Sequence, residues 1–336
     1  MAEKGCLRRV FFYGALSPMK VIRGLHNLVP RPRGTVVTIG NFDGVHLGHK
    51  AVFGRLLAQG RALRLPAMVI TFEPQAMEYF APDAAPARLT RLREKLTALA
   101  DCGVEQAMLL RFGPKLARME AREFVQELLV DGLGARYLLV GDDFRFGHGR
   151  AGDFRLLREM GREHGFSVED LHTITHGDER VSSTRIREAL ARGDFEFARR
   201  LLGRTYRICG RVVQGDKRGR DIGFPTANLN LHRRVSPLRG VYAVMVGGIA
   251  DRPWPGVANL GTRPTVDGSA RYLLEVHLFD FTGNLYGRHL EVEFRRKLRD
   301  EKKFGSCEEL QAQIGRDTVT ARALLGAPTT AFAYSP

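Results

Sequence analysis

The chain has 336 residues, 44% of them hydrophobic and 26% charged, and Lys plus Arg outnumber Asp plus Glu 52 to 37. That length suits two domains of roughly 150 residues each rather than one core, the composition excludes a largely disordered chain, and a formal charge of +15 favours anionic partners without choosing among nucleotides, polyphosphates and nucleic acid. No apolar run approaches the roughly 18 residues of a membrane-crossing helix, and Cys6, Cys102, Cys209 and Cys307 are too scattered for a CxxC pair or zinc framework, which suits reduced thiols in the cytoplasm.

Residues 1–18 place Lys4, Arg8 and Arg9 ahead of a short apolar run at 10–16, a faint imitation of a signal peptide without a convincing cleavage site. Met19 reads as the start of the fold, with 1–18 as an extension. From residue 35, short β-branched runs alternate with longer amphipathic segments. Residues 35–40 (TVVTIG), 67–72 (AMVITF), 105–111 (EQAMLLR) and 136–141 (RYLLVG) read as buried strands, and 46–59, 88–100 and 121–130 as helices. This alternation predicts an α/β domain with a doubly wound parallel sheet, whose ligands bind beyond the carboxyl ends of the strands. Residues 187–202 read as one or two closing helices interrupted at Gly193. Beyond Gly203 come short alternating runs at 206–213, 241–246, 272–279 and 290–294, separated by Gly and Pro, which predict a small antiparallel β-barrel. A terminal helix follows, with Ser306 and Glu309 as a capping-box pair and Leu310, Ile314 and Ala321 as part of its apolar stripe.

The first predicted strand runs into Asn41-Phe42-Asp43-Gly44-Val45-His46-Leu47-Gly48-His49. His46 and His49, three residues apart at a first helical turn, project from one face, where unpaired N–H groups already favour an anion. Gly44 and Gly48 let a nucleotide approach the backbone. Two imidazole donors aimed at polyphosphate oxygens can stabilise charge developing at an α-phosphorus during in-line displacement. Zinc would want a third ligand, and none is apparent nearby; a purely structural pair is the other alternative. Ser182, Ser183 and Thr184 open a late helix, either as phosphate donors or as a plain cap.

A second cluster, residues 215–228 (GDKRGRDIGFPTAN), lacks the P-loop spacing, and composition alone makes Lys217 to Arg220 a basic turn. Glu275 falls on a predicted strand, where a lone Glu is usually solvated.

GNFDGVHLGH, TFEP at 71–74, GDDFRFG at 141–147, SSTRIR at 182–187 and GFPTAN at 223–228 together resemble one family, the bacterial bifunctional riboflavin kinase/FAD synthetases, over residues 19 to about 325. The resemblance implies a nucleotidyltransferase domain at 19–203, a riboflavin kinase barrel at 204–328 and a tail at 329–336. It implies that Asn41, Phe42, Gly44, His46, Gly48, His49, Ser182, Ser183, Thr184 and Arg187 bind ATP in the first domain, the histidines being catalytic, with Asp143 and Phe144 on the flavin side. In the second, Gly215, Gly223, Pro225, Thr226 and Asn228 would bind ATP. Thr226 and Asn228 would hold Mg²⁺, Glu275 would take the proton from the riboflavin 5′-hydroxyl, and Arg299 would lie on the flavin side. Riboflavin would become FMN at the expense of MgATP, and FMN would become FAD with release of pyrophosphate. The chain departs from many relatives at Gln75, where they carry His, and at Asn284, where they carry Asp. Two other readings are a protein retaining one activity, and a basic nucleic-acid-binding barrel. The latter would need a basic stripe with aromatic stacking positions, and neither is legible. The expected partners are therefore riboflavin, FMN, FAD and ATP, without nucleic acid or membrane.

Overall fold

A strand that is apolar at every position must be covered on both faces, and the first half of the chain meets this with a parallel sheet between helices. The computed structural model describes residues 8–10, 19–29, 31, 33–141, 143–171, 175–176, 179–215, 223–231, 233, 235–264 and 270–327. Their contacts form two units, one of residues 1–86 with 90–183, the other of 87–89 with 184–336.

In the first unit β1 (Arg8–Val10), β2 (Met19–Arg23), β3 (Thr35–Ile39), β4 (Ala67–Phe72), β5 (Gln106–Leu110), β6 (Ala135–Gly141) and β7 (Ser167–Leu171) lie in the order β1-β2-β5-β4-β3-β6-β7. All neighbours are parallel except β1 and β2. The helices are α1 (Leu47–Leu63), α2 (Ala76–Phe80), α3 (Leu92–Asp101), α4 (Pro114–Arg118), α5 (Ala121–Phe124) and α6 (Phe154–His164), with a π-helix over Val125–Gly132. β8 (Thr175–His176) and β9 (Glu179–Arg180) form a small hairpin.

Alternate strand residues divide between two cores. Val36, Val69, Ala107 and Leu139 pack with Phe53 and Leu56 of α1 and Leu96 and Leu99 of α3. Val37, Ile39, Met68, Ile70, Met108 and Leu138 pack with Phe124, Leu128, Leu157 and Met160. The sheet starts earlier than the expected boundary at Met19, because Arg8–Val10 pairs antiparallel with β2. The rest of residues 1–18, and the tail at 329–336, lie outside the described residues.

α7 (Ser183–Arg192) and α8 (Phe195–Leu202) are separate helices, broken by Gly193 at φ 79°. The ring of Phe195 lies 5.7 Å from that of Tyr242 and 6.2 Å from that of Phe294, so contacts group α8 with the second unit, ahead of the change of pattern near residue 204.

There β10 (Arg207–Val213), β11 (Thr226–Asn230), β12 (Gly240–Gly247), β13 (Trp254–Pro264), β14 (Ala270–Leu278) and β15 (His289–Arg299) close a barrel in the order β10-β11-β14-β13-β12-β15, antiparallel throughout. Every second residue points inward, and Ile208, Leu229, Val244, Leu260, Leu274, Val292 and Phe294 are wholly buried. α9 (Cys307–Leu325) covers the outer face of β12 and β13, with Ala321 in one cluster with Val241, Ala243 and Val257. At its start the Ser306 hydroxyl accepts from the Glu309 N–H (3.2 Å), while the Glu309 carboxylate accepts from Gly305 N–H (3.0 Å), one residue earlier than a capping box requires. The apolar stripe expected of α9 is only partly realised. Leu310 and Ile314 are half-buried, and beside Ala321 the buried positions are Asp317, Thr318 and Arg322.

Candidate active sites

In the first unit the chain winds from β3 through β4 to β5 on one side and returns to β6 on the other, so the sheet reverses its winding between β3 and β6. A crevice at the carboxyl ends of those strands is the expected ligand site. A cleft of about 1150 Å³ opens there. It is lined by Asn41, Phe42, His46, Gly48 and His49 after β3, by Gly141, Asp143 and Phe144 after β6, and by Ser182 and Ser183.

The loop after β3 is strained. Phe42 and Val45 take φ of 47° and 44°, on either side of Gly44 at 86°, and a β-branched residue at positive φ needs its surroundings to hold it. Thr90 supplies much of that hold. Its N–H and hydroxyl donate to the buried Asp43 carboxylate at 2.9 and 3.1 Å, and its oxygen accepts from Gly44 N–H at 2.9 Å. Ser183 donates to the Asp43 carbonyl (2.9 Å), and Thr71 to the Asn41 carbonyl (3.1 Å), Thr71 itself accepting from the wholly buried Lys95 (3.3 Å). Gly44 is therefore a braced loop residue, and the lining of the cleft passes it by.

His46 is the N-cap of α1 rather than a residue of its first turn, and its Nδ1 accepts from the His49 N–H at 3.3 Å. A nitrogen that accepts keeps its lone pair, so the proton of the neutral ring sits on Nε2. The rings of His46 and His49 stack 3.5 Å apart at 19°. A Cβ on Gly48 would stand 3.1 Å from the His46 ring, so this glycine makes room for the imidazole. Thr184 is exposed, and Arg187 donates Nε to the Ala87 carbonyl at 2.6 Å; both belong to the second unit.

The far wall is aromatic. Phe72, Tyr79, Phe80 and Phe112 form a cluster with centroids 5.2 to 5.9 Å apart, and Phe80 is 62% exposed although large and apolar. Phe144 stacks on Phe146 at 5.5 Å. Gln75 is buried at the start of α2, its N–H donating to Glu78 (2.9 Å). Asp142 lies outside the described residues.

On the barrel the candidates come together through strand register. Asn228 of β11 is directly opposite Glu275 of β14, which is directly opposite Asn259 of β13. Thr226, His277 and Val257 form the next row on the same face. Directly opposed residues place their Cβ atoms about 4.5–5.5 Å apart. Leu229, Leu274 and Leu260 fill the interior, so the row holding Glu275 faces outward. Asn228 is nevertheless buried, and its Oδ1 has no hydrogen-bond partner among the described residues. A Cβ on Gly215 would stand 2.3 Å from Asn228 Nδ2, so the backbone there runs against the amide. Gly223 has φ 80°. Residues 216–222, the basic turn, lie outside the described residues.

His277 Nδ1 lies 3.0 Å from the Pro225 carbonyl, and burial holds its pKa below the ordinary imidazole value. Arg299 is paired with Val241, the neighbour of Asn259. Its Nε reaches both Asp317 oxygens (3.2 and 3.0 Å) and a terminal nitrogen reaches Oδ2 (2.9 Å), while the other donates to the Asp300 carbonyl (3.0 Å). Nε–H and one hydrogen of each terminal nitrogen are thus engaged within the protein, and the guanidinium lies over Phe304, 5.6 Å from the ring centroid.

Thr90, His277 and the aromatics at 79, 80 and 112 are the site residues that sequence reasoning passes over. MEYF at 77–80 carries the one usable signal, a cluster of large apolar side chains on a short helix that could not all be buried.

A family model described as FAD synthetase matches residues 29–185, and one described as riboflavin kinase matches 202–325. The chain is 55% identical over 309 residues to the bifunctional riboflavin kinase/FMN adenylyltransferase of Escherichia coli strain K12, covering 92% of this chain and 98% of that one. The Pseudomonas fluorescens protein of the same description is 52% identical over 306 residues, covering 91% and 98%. A crystal structure described as a macrolide-efflux protein from Streptococcus pneumoniae superimposes with a TM-score of 0.73 at 31% identity, over 90% of this chain and 98% of that one. Among the described residues of this chain, no helix is long and apolar enough to cross a membrane.

Proposed function

Since the chain belongs to the family of bifunctional riboflavin kinase/FMN adenylyltransferases, we propose which of its side chains perform each half of the work. The protein phosphorylates riboflavin to FMN and adenylylates FMN to FAD, with ATP as the donor. We assign adenylylation to residues 19–203 and phosphorylation to 204–328, in a cytoplasmic enzyme.

In adenylylation an FMN phosphate oxygen attacks the α-phosphorus of ATP, and the bond to the bridging oxygen breaks to release pyrophosphate. No protein nucleophile is needed, so the protein orients the two phosphates and stabilises the charge. His46, with its proton on Nε2, and His49 donate to the polyphosphate. Asn41, Phe42, Gly44 and Gly48 shape the loop beneath it, and Ser182 and Ser183 add donors. Asp143 and Phe144, with the aromatic wall, receive the flavin ring, whose flat apolar surface such a wall favours.

In phosphorylation Glu275 accepts the proton of the riboflavin 5′-hydroxyl as that oxygen attacks the γ-phosphorus of ATP, and ADP leaves. Gly215, Gly223 and Pro225 shape the segment that carries the nucleotide. Thr226 and Asn228 offer neutral hard oxygens, and the buried, unpartnered Oδ1 of Asn228 fits a cation ligand. Bound there with ATP, Mg²⁺ would neutralise charge on the transferring phosphate. Arg299 lies on the flavin side of this site, where two of its terminal N–H groups remain outside its contacts with Asp317 and Asp300.

The observation that carries this division is convergence within each unit: His46, His49, Ser182, Ser183, Asp143 and Phe144 line one cleft, while Thr226, Asn228 and Glu275 share one barrel face. Purified protein is given riboflavin or FMN with MgATP, and the flavins are separated. Glu275→Gln should slow FMN formation about 10²–10⁴-fold and leave FAD formation from FMN intact. His46→Ala should do the converse, by about 10²–10³-fold. Equal loss of both conversions in either variant would refute the division.

A further inference from the structure

His277 faces outward one row from Glu275, directly opposite Thr226. Its Nδ1 stands 3.0 Å from the carbonyl of Pro225, the residue that precedes Thr226. A carbonyl only accepts, so Nδ1 carries the hydrogen, the reverse of the tautomer at His46. The ring is held edge-to-face by Phe224 at 5.2 Å and Phe279 at 6.1 Å, with Val257 opposite it on β13. Pro225 cannot donate to a strand ladder, and its ring fixes φ but leaves ψ open. The bond to the Pro225 carbonyl settles that remaining torsion, and with it the plane of the Pro225–Thr226 peptide. Thr226 and Asn228 follow on the same face, two residues apart.

We infer that His277 is a positioning residue of the kinase, which through its Nδ1–H bond to the Pro225 carbonyl sets the direction in which Thr226 and Asn228 present their oxygens. The inference rests on the assignment of those two residues to the nucleotide and its cation. Groups that orient metal ligands from behind typically change metal affinity about 10–100-fold when removed.

Three variants and one spectrum test this. His277→Leu removes the donor, and His277→Asn keeps an N–H near the Nδ1 position. The leucine variant should need about tenfold more Mg²⁺ for half-maximal riboflavin phosphorylation, with kcat changed less, and the asparagine variant should recover most of the loss. FMN-to-FAD conversion should be unchanged in both. In ¹⁵N-histidine NMR the His277 signals, assigned by their loss in His277→Asn, should be those of a neutral ring protonated at Nδ1. Wild-type Mg²⁺ dependence in His277→Leu, or an Nε2-protonated ring, overturns the inference. If the leucine variant fails to fold, so that FMN-to-FAD conversion is lost too, the asparagine variant and the spectrum decide. Asn228→Ala separates the two levels. If it leaves phosphorylation intact, the ligand assignment is wrong; if it abolishes phosphorylation while His277→Leu is indifferent, only the inference fails.

Discussion

The cleft and the barrel face both present oxygen and nitrogen groups to a polyphosphate, yet they hold those groups by different means. In the cleft the reactive residues sit on an irregular loop with positive φ at Phe42, Gly44 and Val45, and side chains distant in sequence keep it in place. On the barrel the candidates occupy regular strands, where the hydrogen-bond ladder and its register set Asn228 against Glu275. A loop site can aim backbone N–H groups at an anion, at the expense of strain. A strand site gives up that freedom for positions that every rung of the barrel supports. The first should therefore fail when one brace is lost. The second should fail chiefly when the barrel itself loosens.

The largest effect is expected where the barrel is latched by charge. Asp317 is buried and paired in fork geometry with Arg299, and removing one partner of such a pair costs about 3–5 kcal/mol because the other charge is left without compensation. Trp254, the single tryptophan, lies on β13 with its Nε1–H donating to the Phe279 carbonyl (2.7 Å), so its fluorescence reports on the barrel. Arg299→Leu should lower the urea midpoint of the Trp254 transition by the equivalent of that energy. Replacing Asp317 by Leu as well should recover part of it, since two apolar groups leave no orphaned charge. An unmoved Trp254 transition would remove the pair from the account of what holds the strand site.

This contrast also explains what could be read from the sequence. The strands at 35–40, 67–72, 105–111 and 136–141 were legible because they are buried on both faces and apolar throughout. β2 (MKVIR) and β7 (SVEDL) were not, since charged residues interrupt them. β11 (TANLN) is polar because one of its faces is the candidate site, and β13 carries two prolines and two glycines, so neither resembles a strand by pattern. His46 and His49 could be picked out because their relation is local. The juxtaposition of Glu275 with Asn228 is a matter of register between strands far apart in the chain, and local periodicity carries no information about it. The pairing of Arg299 with Asp317 was equally out of reach, because it joins a strand to a helix 18 residues on whose inward face reads as apolar.

A smaller effect, confined to one activity, should follow from losing a brace in the cleft. Thr90→Val keeps the volume but removes a hydroxyl that both donates to Asp43 and accepts from Gly44. Two buried groups would each lose one hydrogen bond, while Asp43 keeps the Thr90 N–H, and a bond of this kind contributes about 0.5–1.5 kcal/mol net. The strained loop should then sample other conformations, so FMN-to-FAD conversion should drop while riboflavin phosphorylation stays level. Thr90→Ser, which retains the hydroxyl, should restore most of the rate. Equal loss in the serine variant would show that the methyl group matters more than the bonds, and the loop would not be a braced one.

The smallest effect belongs to the cap of α9. Ser306→Ala deletes the oxygen that accepts from the Glu309 N–H, a change that costs about 1 kcal/mol. Its pH dependence has a definite sign. The Ser306 hydroxyl bonded to Glu308 holds that carboxyl below its ordinary pKa, so the contribution is present above the ordinary carboxylate range and is lost as pH falls through the depressed value. The Trp254 midpoint of Ser306→Ala should therefore trail that of the unaltered protein at neutral pH, and the gap should narrow in acid. Riboflavin phosphorylation under folding conditions should not change, because α9 covers β12 and β13 while Asn228 and Glu275 keep their positions through register with their neighbours. A fall in that rate without a shift in the Trp254 midpoint would mean that α9 acts on the face directly, and that the strand site depends on a single brace just as the loop site does.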